Sequence, residues 1–172
     1  SNDNFHTPEQ SNPFEFTLDV CKYCGFIFRA TWLDQASYYN FFRHHHKSVP
    51  NVMYLQKEWV KYSTVLLNAG ISDFANKRHL DIGCGIGKAL AKFGSQSIGI
   101  ELSEVHYKLA RFGEGIDARL ELDINEGSFD LVTCINYLSH VPDLGRFLPS
   151  IRDKLRDDGH FVFTVPIIEN PT

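Results

Sequence analysis

The stretch Arg78-His79-Leu80-Asp81-Ile82-Gly83-Cys84-Gly85-Ile86-Gly87-Lys88 decides the fold. Arg78 to Ile82 reads as a β-strand and Lys88 to Phe93 as a short helix, so Asp81–Lys88 is a glycine-rich loop joining strand to helix. Glycines at 83, 85 and 87 let the backbone turn tightly and let a ligand approach atoms that a Cβ blocks. Three cofactor classes use such a loop, and spacing separates them. A dinucleotide fingerprint G-x-G-x-x-G begun at Gly83 requires a glycine where Lys88 stands; begun at Gly85 it requires one where Leu90 stands. A P-loop ending in Gly87-Lys88 requires glycine in place of Ile82 and a hydroxyl residue in place of Ala89. What remains is acid-x-Gly-x-Gly-x-Gly.

Outward from the loop, β and α signals alternate. Ser97 to Glu101 reads as the next strand and Glu104 to Arg111 as a helix with Ser103 as its N-cap. Ala118 to Leu122 and Phe129 to Ile135 read as strands, and the region from about Leu144 to Leu155 as a helix. Asp157-Asp158-Gly159 turns the chain into a last strand, His160 to Val165. Strands separated by helices imply a parallel sheet with right-handed crossovers. Upstream, Val52, Leu55, Trp59, Tyr62 and Leu66 step by three and four. They form the stripe of an amphipathic helix that Asn68-Ala69-Gly70 ends, expected as a cover on the sheet. Earlier still, Phe14–Val20 and Phe26-Ile27-Phe28 flank Cys21-Lys22-Tyr23-Cys24-Gly25, a hairpin with a cysteine knuckle at its tip. The expected division is 1–50, arm, knuckle and aromatic segment, and 51–172, the α/β core.

Composition bounds the function. The chain has 172 residues, 43% hydrophobic and 22% charged, with a formal net charge of -4. That balance fits a globular domain and argues against a nucleic-acid binder, which presents a basic face. Nothing runs to the roughly 18 apolar residues of a membrane span. No basic-then-apolar signal segment opens the chain, so a cytoplasmic protein with reduced thiols is expected.

The acid-x-Gly-x-Gly-x-Gly loop resembles that of the class I S-adenosylmethionine-dependent methyltransferases, and further pieces fall in the order that family has. Ile98-Gly99-Ile100-Glu101-Leu102-Ser103 resembles its second strand, ending in an acid that accepts both ribose hydroxyls. Phe129-Asp130-Leu131-Val132-Thr133-Cys134 resembles its fourth strand, and Asn136–Asp143 the segment that follows in many small-molecule methyltransferases. Leu155–Val162 resembles the turn into strand five. The resemblance covers about residues 78 to 166. It implies an α/β, Rossmann-like, mostly parallel sheet with helices on both faces, here lacking the last strands, plus the small N-terminal cysteine-knuckle hairpin. It implies S-adenosylmethionine as cofactor, held by Asp81, Gly83, Cys84, Gly85, Gly87, Glu101 and Leu102. For the adenine side Glu121, Leu122, Asp123 and Ile124 compete, with Asp123 and Leu122 favoured. Cys134 and Asn136 are placed near the methionine, with a core position equally open to Cys134.

His140 is the general-base candidate by position, one helical turn beyond Asn136, against the alternative that it packs its helix. Cys21-x-x-Cys24 is similar to a zinc knuckle, and with the paired tyrosines after it resembles the N-terminal zinc-binding region of sugar C-methyltransferases. Zinc at Cys21 and Cys24 needs two more ligands. His6, His44, His45 and His46 are available, none recommended by spacing. Tyr38, Tyr39, Phe41 and Phe42 form a lid over the pocket or a core patch. Only Lys88 to Ser97 separates Gly87 from the second strand, shorter than the family's crossover, and the chain ends where the family has a sixth and seventh strand, which suggests missing segments. The expected function is methyl transfer to a small molecule, with a nucleotide-linked sugar suggested by the N-terminal resemblance. The alternative is a catalytically silent methyltransferase-like binding module. Oligomeric state is not legible.

Overall fold

A computed structural model describes residues 18–25, 27–29, 37, 40, 41, 43, 52–73, 76–93, 96–120 and 126–166. The chain parts into two compact units, Ser1–Tyr38 and Tyr39–Thr172. In the first, β1 (Leu18–Val20) pairs antiparallel with β2 (Ile27–Arg29), Leu18 opposite Arg29 and Val20 opposite Ile27. The intervening Cys21–Gly25 turn closes with Gly25 N–H donating to the Cys21 carbonyl at 2.9 Å, and Gly25 takes a φ of 71° that a side chain disfavours.

The second unit opens with α1 (Val52–Asn68). Its end is a glycine cap: Gly70, at φ 77°, donates to the Leu67 carbonyl, and Ile71 N–H donates to the Leu66 carbonyl, both at 2.9 Å. Leu66 and Ile71 are both buried and share one cluster, the apolar contact that accompanies such a cap. Five strands follow: β3 (His79–Ile82), β4 (Ile98–Ile100), β5 (Asp117–Arg119), β6 (Phe129–Cys134) and β7 (Leu155–Phe163). They form one parallel sheet in the order β5-β4-β3-β6-β7.

Period-two alternation along the buried strands feeds two cores. Tyr62 and Leu66 of α1 pack with Leu131 and Val162 on one face. Leu80, Ile82, Ile98, Ile100, Phe129 and Val132 fill the other with Ile151 of α3 (Leu144–Lys154). Helices thus cover both faces, as expected.

Three elements differ from the sequence reading. The stretch after the glycine loop is a single 3-10 turn, Leu90–Lys92, not a helix from Lys88 to Phe93. Leu90 and Phe93 are both buried and three apart, a spacing that three residues per turn aligns. Ser103 does cap α2 (Glu104–Lys108), its hydroxyl accepting from His106 N–H at 3.4 Å, but the helix winds on as a π-helical turn, Leu109–Gly113. The Asp157–Gly159 turn lies inside β7, where the register shifts: Leu155 faces Phe129, but the next paired residue, His160, faces Leu131. A Cβ on Gly159 would lie 2.8 Å from the Phe129 carbonyl oxygen, so a side chain has no room at this irregularity.

Leu66 is fully buried while its neighbour Leu67 is 56% exposed. Leu66→Ala is expected to lower unfolding free energy in urea by about 2–5 kcal/mol, and Leu67→Ala by less than about 1. Equal losses from the two would contradict the placement of α1.

Candidate active site

In an open parallel sheet, ligands settle beyond the carboxyl ends of the strands where the strand order reverses. Here the chain proceeds from β3 outward through β4 and β5, then returns to the other side of β3 for β6 and β7. By that rule the place for a ligand is beyond β3 and β6, between the glycine loop and the segment from Ile135 to His140.

The loop folds back over β4. Gly83 N–H and Cys84 N–H both donate to the Ile100 carbonyl, at 2.8 and 3.0 Å. All three glycines have positive φ (82°, 57° and 79°), and their surroundings give them three different tasks. A Cβ on Gly83 would stand 2.7 Å from Tyr137 Cδ2; one on Gly87 would stand 2.9 Å from Ile116 Cγ1. These two glycines therefore admit neighbouring protein. Gly85 alone faces open space, with nothing within 4 Å of a would-be Cβ, so a ligand can reach its backbone. Its N–H donates to Glu101 Oε2 at 2.9 Å, and Ser103 N–H donates to Glu101 Oε1 at 2.7 Å. A carboxylate oxygen accepts two hydrogen bonds, so each keeps capacity for a further donor. Leu102, half-buried, lies between these two anchored residues.

Asp81 and His79 alternate with the apolar Leu80 and Ile82 along β3, and so share the α1 face. Asp81 is 3% exposed. Thr133, its register partner on β6, donates from Oγ1 to Asp81 Oδ1 at 2.7 Å. The same Oγ1 lies 2.7 Å from the Tyr62 hydroxyl and 2.7 Å from His79 Nε2. Burial pushes the Asp81 carboxyl up to about 6 against the pull of hydrogen bonds from Thr133 and Tyr62, and the Glu101 charge adds to the push. Burial draws the His79 imidazole down to about 3, and raises the Tyr62 phenol. Neither Asp81 nor Glu101 forms an ion pair among the described residues.

The remaining expected residues divide between core and surface. Cys84 is buried, its thiol raised by burial and then by the Asp81 charge; it packs in the α1-side core. Cys134 is fully buried, its thiol pushed up to about 12 by burial, so neither is a nucleophile. Asn136 is exposed and left-handed (φ 56°), a conformation Asn tolerates better than most residues. Its N–H donates to Thr164 Oγ1 at 2.9 Å, and that hydroxyl donates back to Asn136 Oδ1 at 3.1 Å. His140 is exposed on a 3-10 turn, Leu138–His140, rather than an α-helix. The residue on its face is then not Asn136 but Tyr137, three back. The two rings meet edge-on, with centroids 6.4 Å apart. Through Tyr137, which rests on Gly83, His140 is linked to the loop.

Asp123, with Glu121, Leu122 and Ile124, lies outside the described residues, as do His6, Tyr38, Tyr39, Phe42 and His44 to His46. Cys21 and Cys24 are free thiols on one turn, Cys24 exposed. The N–H groups of Tyr23 and Cys24, then the Cys24 side chain, lower the Cys21 thiol. Among the described residues no three His, Cys, Asp or Glu side chains gather to hold a metal, so the expectation of zinc gains no support. None of the described helices is long and apolar enough to cross a membrane.

Sequence reasoning missed Tyr62, His79, Thr133, Tyr137 and Gly99. Tyr62 fitted the helix stripe and passed as core. The available signal was the pair of polar residues, His79 and Asp81, on alternate positions of a strand otherwise apolar. Gly99 is needed because a Cβ there would stand 2.6 Å from Cys84 Sγ.

A family profile described as methyltransferase domain matches residues 53–169. The chain is 30% identical over 113 residues to the ubiquinone biosynthesis O-methyltransferase of Marinobacter nauticus, covering 56% of this chain and 47% of that protein. It is 36% identical over 110 residues to the enzyme of the same name from Aromatoleum aromaticum, covering 56% and 46%. It spans about half the length of these curated relatives. Among solved structures, an S-adenosylmethionine-dependent methyltransferase from Mesorhizobium loti superposes with TM-score 0.51 at 28% identity, covering 60% of this chain and 52% of that one. Phosphoethanolamine N-methyltransferase 2 of Haemonchus contortus shares the fold, with TM-score 0.54 at 23% identity over 61% of this chain and 28% of that one.

The buried pair His79 and Asp81 has a signature in stability against pH. Asp81, raised from 3.8 to about 6, makes the fold gain stability as pH falls through that window. His79, lowered from 6.5 to about 3, makes it lose stability as pH falls from about 6.5. The two slopes oppose between about pH 6 and 4. Asp81→Asn should uncover the His79 slope, so that the variant loses roughly 1–3 kcal/mol relative to the parent between pH 6 and 4. Urea unfolding at both pH values checks this; parallel losses in the two proteins would refute it.

Proposed function

The chain belongs to the methyltransferase-domain family, and on that premise we propose that it binds S-adenosylmethionine at the Asp81–Gly87 loop and methylates a small molecule. The observation that carries the reading is an open-faced Gly85 whose N–H is held by Glu101, in a loop that begins at the buried Asp81, neither carboxylate having an ion-pair partner among the described residues. Such a site suits a ligand that brings both hydroxyl donors and positive charge. When bound, the cofactor supplies an electrophilic methyl group on a cationic sulfur.

The chain's own residues then have distinct tasks. Glu101 accepts the ribose hydroxyls on the capacity its two backbone donors leave. Asp81 balances charge at the amino end, and Gly83, Cys84, Gly85 and Gly87 shape the floor. Leu102 and Asn136 are assigned to the walls, Cys134 to the buried layer behind them, and Asp123 is assigned to the adenine. Methyl transfer is an in-line displacement, so catalysis comes chiefly from alignment and exclusion of water. We assign the acceptor to a hydroxyl on a small molecule, in keeping with the O-methyltransferase relatives. A nucleotide-linked sugar acceptor rests on the N-terminal resemblance alone. An imidazole suits removal of the hydroxyl proton near neutral pH, and His140 is given that role.

Calorimetry with S-adenosylmethionine should show binding that Glu101→Ala weakens tenfold or more; no binding, or unchanged binding in the variant, would sink the cofactor assignment. Incubation with cofactor and a panel of small hydroxyl compounds and nucleotide-linked sugars should yield S-adenosylhomocysteine with a hydroxyl acceptor. Binding without turnover on any acceptor would favour the silent module. His140→Ala should lower turnover by about two to four powers of ten with cofactor affinity unchanged. Activity within a few fold of the parent, with lower stability, would return His140 to a packing role.

A further inference from the structure

The buried hydroxyls around Asp81 have a use beyond packing. We propose that Tyr62 and Thr133 are positioning residues that keep the Asp81 carboxylate charged at the foot of the glycine loop, so that cofactor capture is switched by one proton on Asp81. The inference rests on the cofactor reading above and adds to it two residues and a proton linkage.

The geometry comes from a count of hydrogens. Thr133 has one, and it goes to Asp81 Oδ1. Its oxygen can then accept twice. Tyr62 O–H and His79 Nε2–H, both at 2.7 Å, fill those places. His79 Nδ1 is left buried with no partner among the described residues. This tautomer leaves a lone pair stranded at Nδ1; the other would strand an N–H donor and take the Nε2 hydrogen from Thr133. Of the three hydrogens, that of Thr133 reaches the carboxylate directly, while those of Tyr62 and His79 end on the Thr133 oxygen and polarise that hydroxyl, an arrangement that stabilises the carboxylate charge. An apolar residue at 79 would pack on β3 without an orphaned nitrogen.

The groups facing Asp81 come from every neighbouring element. Tyr62 comes from α1, His79 and Cys84 from β3 and its loop, Thr133 and Cys134 from β6, and Glu101 from the end of β4. Burial leaves Tyr62, His79, Cys84 and Cys134 uncharged at neutral pH. Glu101 adds a like charge. Burial and Glu101 drive a proton onto Asp81 while the two hydroxyls hold it off, and the balance lies at about 6. A ligand ammonium favours the charged form, so binding expels the proton wherever the free protein holds one. Affinity then falls as pH drops below that balance, at most tenfold per pH unit.

The test is calorimetry with S-adenosylhomocysteine, which carries the ammonium but no transferable methyl, from pH 5 to 8.5. In the parent protein affinity should be level above pH 7 and roughly tenfold weaker at pH 5. Proton release near pH 6 should be read from the dependence of the heat on buffer. Tyr62→Phe and Thr133→Val should move the fall upward by about one pH unit, with affinity recovered to within twofold at pH 8.5; Thr133→Ser should restore the parent profile. Carbon-13 titration of the Asp81 carboxyl in the unliganded proteins should show the same upward shift, which keeps the proposal open to refutation if a variant binds poorly. A level profile in the parent, an equal loss at every pH in the variants, or an unmoved Asp81 midpoint would overturn it. Absence of binding at every pH in the parent would overturn the cofactor reading as well, whereas binding with a level profile overturns only this inference.

Discussion

The Ile100 carbonyl receives two backbone donors, Gly83 and Cys84, and the site depends on that double hydrogen bond. By tying the loop after β3 to the end of β4, it forces the chain to double back over its neighbour instead of running out into solvent. Cys84 is thereby pressed into the core against Gly99, where no side chain fits. Glu101, the residue after Ile100, arrives beside Gly85 and completes the clasp. A loop made of bare backbone gains its shape from these fixed partners on a rigid strand.

The sheet supplies the second constraint. Each buried strand offers alternate residues to opposite faces, and β3 uses the two faces unequally. Leu80 and Ile82 join a fully apolar core with Phe129 and Ile151, which provides cohesion. His79 and Asp81 face α1, where Tyr62 and Thr133 complete a closed polar cluster beside Leu66 and Leu131. Burying that cluster is costly unless its donors are matched, and the matching ties helix to sheet at the point where the ligand loop begins.

Much of this was legible in the sequence because it rests on local rules. The alternation of strands and helices, the Ser103 cap, the Gly70 stop and the loop spacing each follow from residue type at short range. The polar cluster was not legible, because Tyr62, His79 and Thr133 become neighbours only through strand register and helix packing. The turn at His140 differs from the sequence reading for a related reason. The sequence implies a helical period beyond Asn136, yet the left-handed Asn136 breaks the path and a three-residue turn follows, bringing Tyr137 rather than Asn136 into line with the imidazole. The short connection after Gly87 likewise tightened to 3-10 geometry because Leu90 and Phe93 must both reach the core.

The glycines carry a lesson about inheritance. Gly83 is shaped by Tyr137 and Gly99 by Cys84, each pair far apart in the chain and in contact in the fold. In descendants of this chain neither member of a pair can enlarge unless its partner shrinks, so the two positions are expected to drift together. Gly85 has no such protein partner. Selection on it comes from whatever occupies the crevice, and loss of that ligand would free position 85 to vary before positions 83 and 99.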